Sequence, residues 1–404
     1  MADEKINHNA AENVSEAKKS GEEQISEALK SFEASEAEEI AKAEAQTDGS
    51  PEPQKRRWLF NFFLIAIIAI GVYLMFRITS EFNDTHKTLW DILNETDTLF
   101  AILALAVLIV ILGSETMKYS VIMRALTGKS HFMLSLRTMF LGKYYDNITP
   151  FSTGGQPMQI YFLCKNGFAG GISGAVIMIK YFVNTFVWVI IAGVLMALNP
   201  SALGTASGAS TLRILAWVGW GINMVIPVSV VLFVILPRFS YALVRGVISI
   251  GEKLKIVKDK EKSLARSTKV VTDFKASFAI MSKKPKMLVS LVACCAVETC
   301  LTFAFPYFIV KMFGGDLGGI SAAIQIMAIN AFTAFAVSFV PTPGNSGVWE
   351  GASSVAFKTI ASSAWVLFTW RFFVYYIYII IGLGITVYEV LKNTLGRKSV
   401  KNKK

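Results

Sequence analysis

Histidine is scarce in this chain. There are three in 404 residues, His8, His86 and His131, and all fall in polar tail or loop stretches. Four cysteines (Cys164, Cys294, Cys295 and Cys300) lie in or beside apolar segments and show neither metal nor redox spacing, so they read as small core residues. No phosphate-binding loop, zinc motif, nucleophile elbow or acidic metal cluster is present. Gly128-Lys129-Ser130 resembles the end of a phosphate loop, but Met123 stands where that motif needs glycine. These absences argue against hydrolytic or nucleotide-driven chemistry, and no metal or cofactor is expected. Transport, if it occurs, would run downhill or on a gradient. Apolar residues come in continuous runs rather than alternation, which excludes a β-barrel. The first 50 residues are polar and acidic, so no secretory signal is read there.

Long apolar runs dominate instead. The chain is 53% hydrophobic with a mean hydropathy of +0.49, and several stretches reach the ~20 residues that cross a bilayer. The fold class is therefore an all-α polytopic membrane protein. Charge divides unevenly: residues 1–54 hold 14 acids against five lysines, so a total of +11 leaves +20 on the remainder. That basic excess reads as membrane topology and contact with anionic lipid. No aromatic stacking module points to nucleic acid.

The acidic segment 1–54 reads as a disordered or transiently helical cytoplasmic tail, with a partner-binding helix as the alternative. A transmembrane domain follows over residues 55–395, and a basic tail over 396–404. Full spans are expected at about residues 58–77, 99–118, 171–198, 212–236, 287–313 and 364–391. Lys55-Arg56-Arg57 places the N-terminus inside, and Lys118, Arg124, Lys129 and Arg137 mark a cytoplasmic connection. Residues 237–286 carry 13 Lys/Arg against four acids. They form a basic cytoplasmic connection, lying on the inner leaflet or crossing solvent as a plain linker. Both termini then face the cytoplasm, in the plasma membrane.

Two stretches interrupt this pattern: Thr149-Pro150-Phe151-Ser152-Thr153-Gly154-Gly155-Gln156-Pro157 and Pro341-Thr342-Pro343-Gly344-Asn345-Ser346-Gly347-Val348-Trp349-Glu350. Proline removes a backbone donor and glycine removes helical bias, so neither can be a continuous helix. Broken backbone at membrane depth survives only against protein or a wet cavity, which is why such breaks point to transport sites. If both termini are inside, residues 131–168 must enter and leave on the inner face and residues 318–363 on the outer face. The predicted architecture is six full spans plus two oppositely oriented re-entrant hairpins, an inverted-topology repeat whose tips meet near the midplane. The alternative is that one hairpin spans fully.

Ionisable residues within spans cost about 2.5–3.5 kcal/mol each to insert, so they are functional candidates. Glu350 closes the second motif where a half-helix would begin. It can cap that helix, pair with Arg371 in the next span, or meet a ligand. Arg371 could hold a lipid phosphate with its forked donors. Lys180 could do the same or extend to the interface. Lys143 and Asp146 share a helical face and can neutralise each other. Glu298 is a further candidate. Gly154, Gly155, Gly344 and Gly347 either aim N–H groups at an anion or allow tight packing. Thr149, Pro150, Gln156, Pro343 and Asn345 complete the two motifs, and Asn147 precedes the first.

At Gly142, Asn147, Thr149-Pro150-Phe151, Gly154-Gly155, Pro341-Thr342-Pro343-Gly344, Gly347 and Glu350 the chain resembles the lysylphosphatidylglycerol synthase/flippase transmembrane family, the membrane half of multiple peptide resistance factor proteins. The resemblance covers about residues 55–395. It implies movement of an aminoacylated phospholipid, or another lipid, between leaflets. Full-length relatives add a soluble domain that transfers lysine to phosphatidylglycerol. That domain is expected to be absent here, because the sequence runs only about a dozen residues past its last span. Asn345 replaces a glycine of the family pattern, and Gln156 and Gln159 replace an acid and an arginine, so the lipid recognised is expected to differ.

The sequence therefore predicts a flippase-like transporter of a phospholipid or of an aminoacyl or glyco lipid. A lipid-modifying transferase and a small-solute transporter are the rivals. In this reading Glu350 and Arg371 contact the headgroup or gate the cavity, Lys143 and Lys180 guide its anion, and the glycine tips bind its phosphate. Anionic inner-leaflet lipid is a further partner. A separate synthase subunit and a second copy of the chain are left open.

Overall fold

The computed structural model describes residues 94, 96–205, 207–235, 283–357, 360 and 364–401. The predicted first span, the acidic tail and most of the basic connection lie outside the described residues.

Among the described residues the chain is helical throughout. The elements are α1 (Thr98–Thr127), α2 (Phe132–Ile148), α3 (Gly155–Lys165), α4 (Gly170–Leu198), α5 (Ala209–Ile235), α6 (Pro285–Met312), α7 (Ile320–Val337), α8 (Val348–Phe357), α9 (Ala364–Arg371) and α10 (Ile377–Lys401). A wide turn over Phe372–Tyr376 joins α9 to α10 without ending the rod. Six helices are long and apolar enough to cross a membrane: α1, α6 and α7, most of α4 and α5, and the run Trp365–Glu389 through α9 and α10. Four predicted spans therefore fall on α1, α4, α5 and α6, and a fifth on the α9–α10 rod.

Two differences from the sequence reading bear on the site, besides α10, which runs to Lys401, ten residues past the predicted end of the last span. α1 continues nine residues past Lys118, to Thr127. Glu115 and Lys118 turn inward while Arg124 is exposed, so the Lys118 charge that read as the end of a span lies within the helix. Asp97 caps the start of α1 through its Oδ1, which accepts from the Leu99 and Phe100 N–H groups at 2.9 and 3.3 Å. Gly128 ends it in the left-handed region at φ 77°, donating to the Arg124 carbonyl. The second difference is α7, which the sequence assigned to one arm of a hairpin. At 18 residues it is about 27 Å long, at the lower edge of a spanning length.

Helices surrounded by lipid gain little from burying apolar surface against one another. Close backbone approach and interhelical hydrogen bonds matter more. Both occur here. α1 packs along α6, and α7 is enclosed by α4, α5 and α6. A Cβ on Gly219 of α5 would collide with the Phe335 carbonyl of α7, so the two backbones touch. Beside that contact Asn223 Nδ2 donates to Ser338 Oγ at 2.8 Å. Asn330 of α7 donates to the Thr302 and Phe303 carbonyls of α6 at 3.1 and 3.3 Å. The outward faces of α1, α4 and α5 are apolar: Leu99, Ile102, Ile109, Val194, Ile214 and Val225 are all exposed.

The two breaks share one backbone conformation. Thr149 and Thr342 are both extended (φ −109°, ψ 145° and φ −97°, ψ 144°), and each precedes a proline. Two consecutive left-handed residues follow in each case: Phe151 and Ser152 at φ 55° and 51°, Gly344 and Asn345 both at φ 55°. Left-handed backbone costs a non-glycine residue about 1–2 kcal/mol, although asparagine tolerates it better than most. The two short turns, Pro150–Ser152 and Pro343–Asn345, pack against each other, and α2 touches the second turn.

Candidate functional site

α2 ends at the first break and α3 folds back along it, with α4 beside α3 and α1 beside α2. Between them lies a partly open cavity of about 40 Å³ lined by Tyr119, Lys143, Asp146, Gln156, Gln159, Ile177, Lys180 and Tyr181. All but one of these residues are polar. The volume holds about two or three water molecules, less than a whole phospholipid headgroup.

Each wall has a local cause. Asp146 Oδ1 accepts the Gly155 N–H at 2.8 Å and so ties the start of α3 to the end of α2. A Cβ at Gly155 would strike that carboxylate, which is why glycine stands there. Thr149 Oγ1 donates to the Tyr145 carbonyl at 2.8 Å and accepts the Gly154 N–H at 2.9 Å, closing the turn. Gln159 Nε2 donates to Tyr119 Oη at 2.9 Å and to the Thr138 carbonyl at 3.2 Å. It lies against Gly142, where any side chain would overlap it.

Lys180 reaches inward rather than to an interface. Its Nζ is 2.8 Å from Glu115 Oε1 and sits 5.0 Å from the Tyr119 ring centre. Glu115 also pairs with Lys118, three residues on in α1. Lys118 in turn lies 3.4 Å from Glu298 of α6 and donates to Asn184 Oδ1 of α4. The four side chains form one chain of alternating sign across three helices. Its middle members are sealed, with Glu115 2% and Lys118 0% exposed, and its ends are partly open, with Lys180 at 14% and Glu298 at 12%. Lys143 differs from these: among the described residues it has no carboxylate within 4.0 Å, and its Nζ stands 5.9 Å from the Tyr378 ring centre. Lys143 and Asp146 therefore do not form the direct pair that their spacing suggested, and both face the cavity.

The second break holds a separate cluster. Glu350 and Arg371 pair with each other, Oε1 to Nε at 3.0 Å, and both side chains are at most 5% exposed. Glu350 Oε2 accepts the Gly347 N–H at 2.6 Å, capping α8. Arg371 Nη2 donates to the Gly344 carbonyl at 2.9 Å, and its guanidinium lies over Trp349 and Tyr375. The hydroxyl of Tyr375 donates to the Asn147 carbonyl at 3.3 Å and accepts from Ser346 Oγ at 3.2 Å, and Asn147 Nδ2 donates to the Tyr375 carbonyl at 3.4 Å. Gly344 packs so closely on Tyr375 that a Cβ would overlap the ring. Tyr375 thus joins the second break to Asn147, whose neighbour Asp146 lines the cavity.

The predicted residues divide accordingly. Lys143, Asp146, Gln156 and Lys180 share the cavity. Glu350, Arg371, Gly344, Asn345, Gly347, Pro343 and Asn147 gather at the second break, while Thr149, Pro150, Gly154 and Gly155 form the first. The N–H groups of Gly154, Gly155 and Gly347 are held by Thr149, Asp146 and Glu350, so in this conformation they brace the turns. Sequence reasoning missed Glu115, Tyr119 and Tyr181 and placed Lys118 at a helix end. The available signal was the three-residue spacing of Glu115 and Lys118 inside an apolar run.

A family model described as the lysylphosphatidylglycerol synthase TM region matches residues 58–382. No curated protein sequence matches the chain. With a match over most of its length, and with the apolar helices that a membrane region requires, the chain belongs to the lysylphosphatidylglycerol synthase TM region family.

Proposed function

We propose that this membrane protein translocates a phospholipid, or a lipid with a modified headgroup, between leaflets of the plasma membrane. The headgroup passes through the cavity of Lys143, Asp146, Gln156 and Lys180, and the acyl chains stay in lipid. One observation carries the reading: two lysines and a carboxylate line a cavity at a helix break, among helices whose outer faces are apolar. Burying charge at such depth is expensive, and the two lysines offer an anionic or dipolar headgroup charged donors that lipid does not supply. Lys143 lacks a close protein counter-ion, so it is the first contact for the headgroup anion.

In this reading the two breaks are tips of re-entrant hairpins from opposite faces, related as an inverted repeat, with both termini cytoplasmic. The shared Thr-Pro conformation and the packing of the two turns on each other support that arrangement. The cavity is too small for a headgroup as it stands, so translocation includes separation of the turns, with Glu350–Arg371 and Tyr375 keeping the second one folded. The test is leaflet exchange in proteoliposomes with a fluorescent phospholipid and an impermeant quencher added outside. Quenching that proceeds beyond the outer half, and slows at least tenfold in Lys143→Gln, supports the proposal. Quenching that matches empty vesicles for several headgroups overturns it. The family description also names a synthase, so transfer of label from aminoacyl-tRNA to phosphatidylglycerol by the purified protein would establish the enzymatic alternative.

A further inference from the structure

The alternating chain Lys180–Glu115–Lys118–Glu298 does more than fill the membrane interior. Four ionised groups stand among packed helices, where desolvation offsets much of their mutual attraction, so a buried ion pair is weak evidence for stability. One end of the chain, Lys180, is also a wall of the cavity. A headgroup anion in the cavity therefore competes with Glu115 for the same ammonium.

The groups around Glu115 determine how the cluster responds to that competition. Lys118 lies on its own helix, Lys180 on α4 and Lys143 on α2. The facing carboxylates are Asp146 on α2 and Glu298 on α6. Cys295 of α6 and Tyr378 of α10 face the same cluster as neutral groups. Three lysines balance three carboxylates, so the cluster is neutral when empty. A monoanionic headgroup leaves it with one uncompensated negative charge. Glu115 bears that change most directly, because Lys180 leaves it and its remaining partner, Lys118, is shared with Glu298. Asp146 already accepts the Gly155 N–H.

We propose that this four-residue chain is a proton-coupling site, in which Glu115 takes up one proton for each lipid anion that binds Lys143 and Lys180. The proposal rests on lipid translocation through the cavity. The balance is simple: a proton leaves water on the side from which the anion enters and adds to the Glu115 carboxylate. It returns to water on the far side when the anion departs and Lys180 closes back on Glu115. Glu298, the other partly exposed end, gives the sealed centre a second contact with its surroundings. Lipid anion and proton cross together, and no net charge moves.

The test uses the full chain in proteoliposomes, with short-chain fluorescent phosphatidylglycerol added outside and albumin extraction in the cold to read the inner-leaflet share. At equal pH about half the probe becomes protected. For one proton per lipid, a lumen about one unit more alkaline gives about tenfold enrichment inside, so roughly nine tenths is protected. An acidic lumen reverses the ratio, and an imposed potassium potential changes nothing. In Glu115→Gln and in Lys180→Gln the distribution no longer follows pH, and the wild-type result alone decides if either variant fails to assemble. A wild-type distribution that stays at one half under a pH difference, or that follows the potential, overturns the coupling and leaves translocation standing. Probe that remains wholly extractable overturns both.

Discussion

Replacing Glu350 by glutamine tests whether the second break is held by charge. Arg371 is enclosed: its Nε faces Glu350 Oε1 at 3.0 Å, its Nη2 donates to the Gly344 carbonyl at 2.9 Å, and Trp349 and Tyr375 cover its faces at 4.6 and 4.0 Å. Glutamine keeps the shape and leaves an acceptor for the Gly347 N–H, but it turns an amide NH2 toward the Arg371 Nε–H, so the change removes one negative charge and one acceptor. Removing one partner of a buried pair costs about 3–5 kcal/mol. The carbonyl and the two rings still stabilise the guanidinium, so the lower end applies here. About 3 kcal/mol lowers the folded-to-unfolded ratio roughly a hundredfold. Reversible unfolding in mixed micelles, followed by the fluorescence of the tryptophans around the pair, reads this directly. Glu350→Gln combined with Arg371→Met should recover about 1–2 kcal/mol of the loss, because no charge is then left unpaired. A single variant within about 0.5 kcal/mol of wild type refutes the bracing role. If that variant also lost leaflet exchange, Glu350 would instead belong to the headgroup site.

Gly344→Ala should destabilise by at least about 1–2 kcal/mol in the same unfolding experiment, since the residue is left-handed at φ 55° and its Cβ would meet the Tyr375 ring. Tyr375→Phe removes the hydroxyl between Asn147 and Ser346 and should cost about 1 kcal/mol, with little change if those contacts are incidental. Lys143→Gln should slow leaflet exchange about tenfold or more; it breaks no ion pair within 4.0 Å but leaves two lysines against three carboxylates, so its unfolding cost should stay below the about 3–5 kcal/mol of a broken buried pair. Single cysteines at Phe151 and Asn345, labelled by impermeant thiol reagents from each side in a cysteine-free background, should react from opposite faces if the hairpins are inverted. Labelling of both from one face contradicts that topology.

Much of the helical frame was legible in the sequence, because continuous apolar runs bounded by charge leave little choice of structure at membrane depth. Both breaks were legible for the same reason: Thr-Pro followed by glycine cannot continue a helix. Their shared backbone was not, since Phe151-Ser152 and Gly344-Asn345 have no common side-chain pattern, and nothing in the sequence marks an exposed phenylalanine as left-handed. The extent of α1 was misjudged because Lys118 looks like a chain end. Only the partners on α4 and α6, 66 and 180 residues away, show that its charge is satisfied inside. For Glu350 and Arg371 the sequence suggested a pair or a ligand site, and distance joins them to each other. The cavity was half legible. Lys143, Asp146, Gln156 and Lys180 stand out as polar groups in apolar surroundings, whereas Tyr119 and Tyr181 carry no signal until α1, α3 and α4 meet.

The most direct measurement is leaflet exchange of fluorescent phosphatidylglycerol by the purified chain in proteoliposomes, compared with Lys143→Gln, Lys180→Gln and Asp146→Asn. Complete quenching is expected for wild type and at least a tenfold slower second phase for each cavity variant, with Glu350→Gln affected only as far as it unfolds. Wild-type vesicles that stop at one half, like empty ones, or cavity variants that exchange at the wild-type rate, would contradict it.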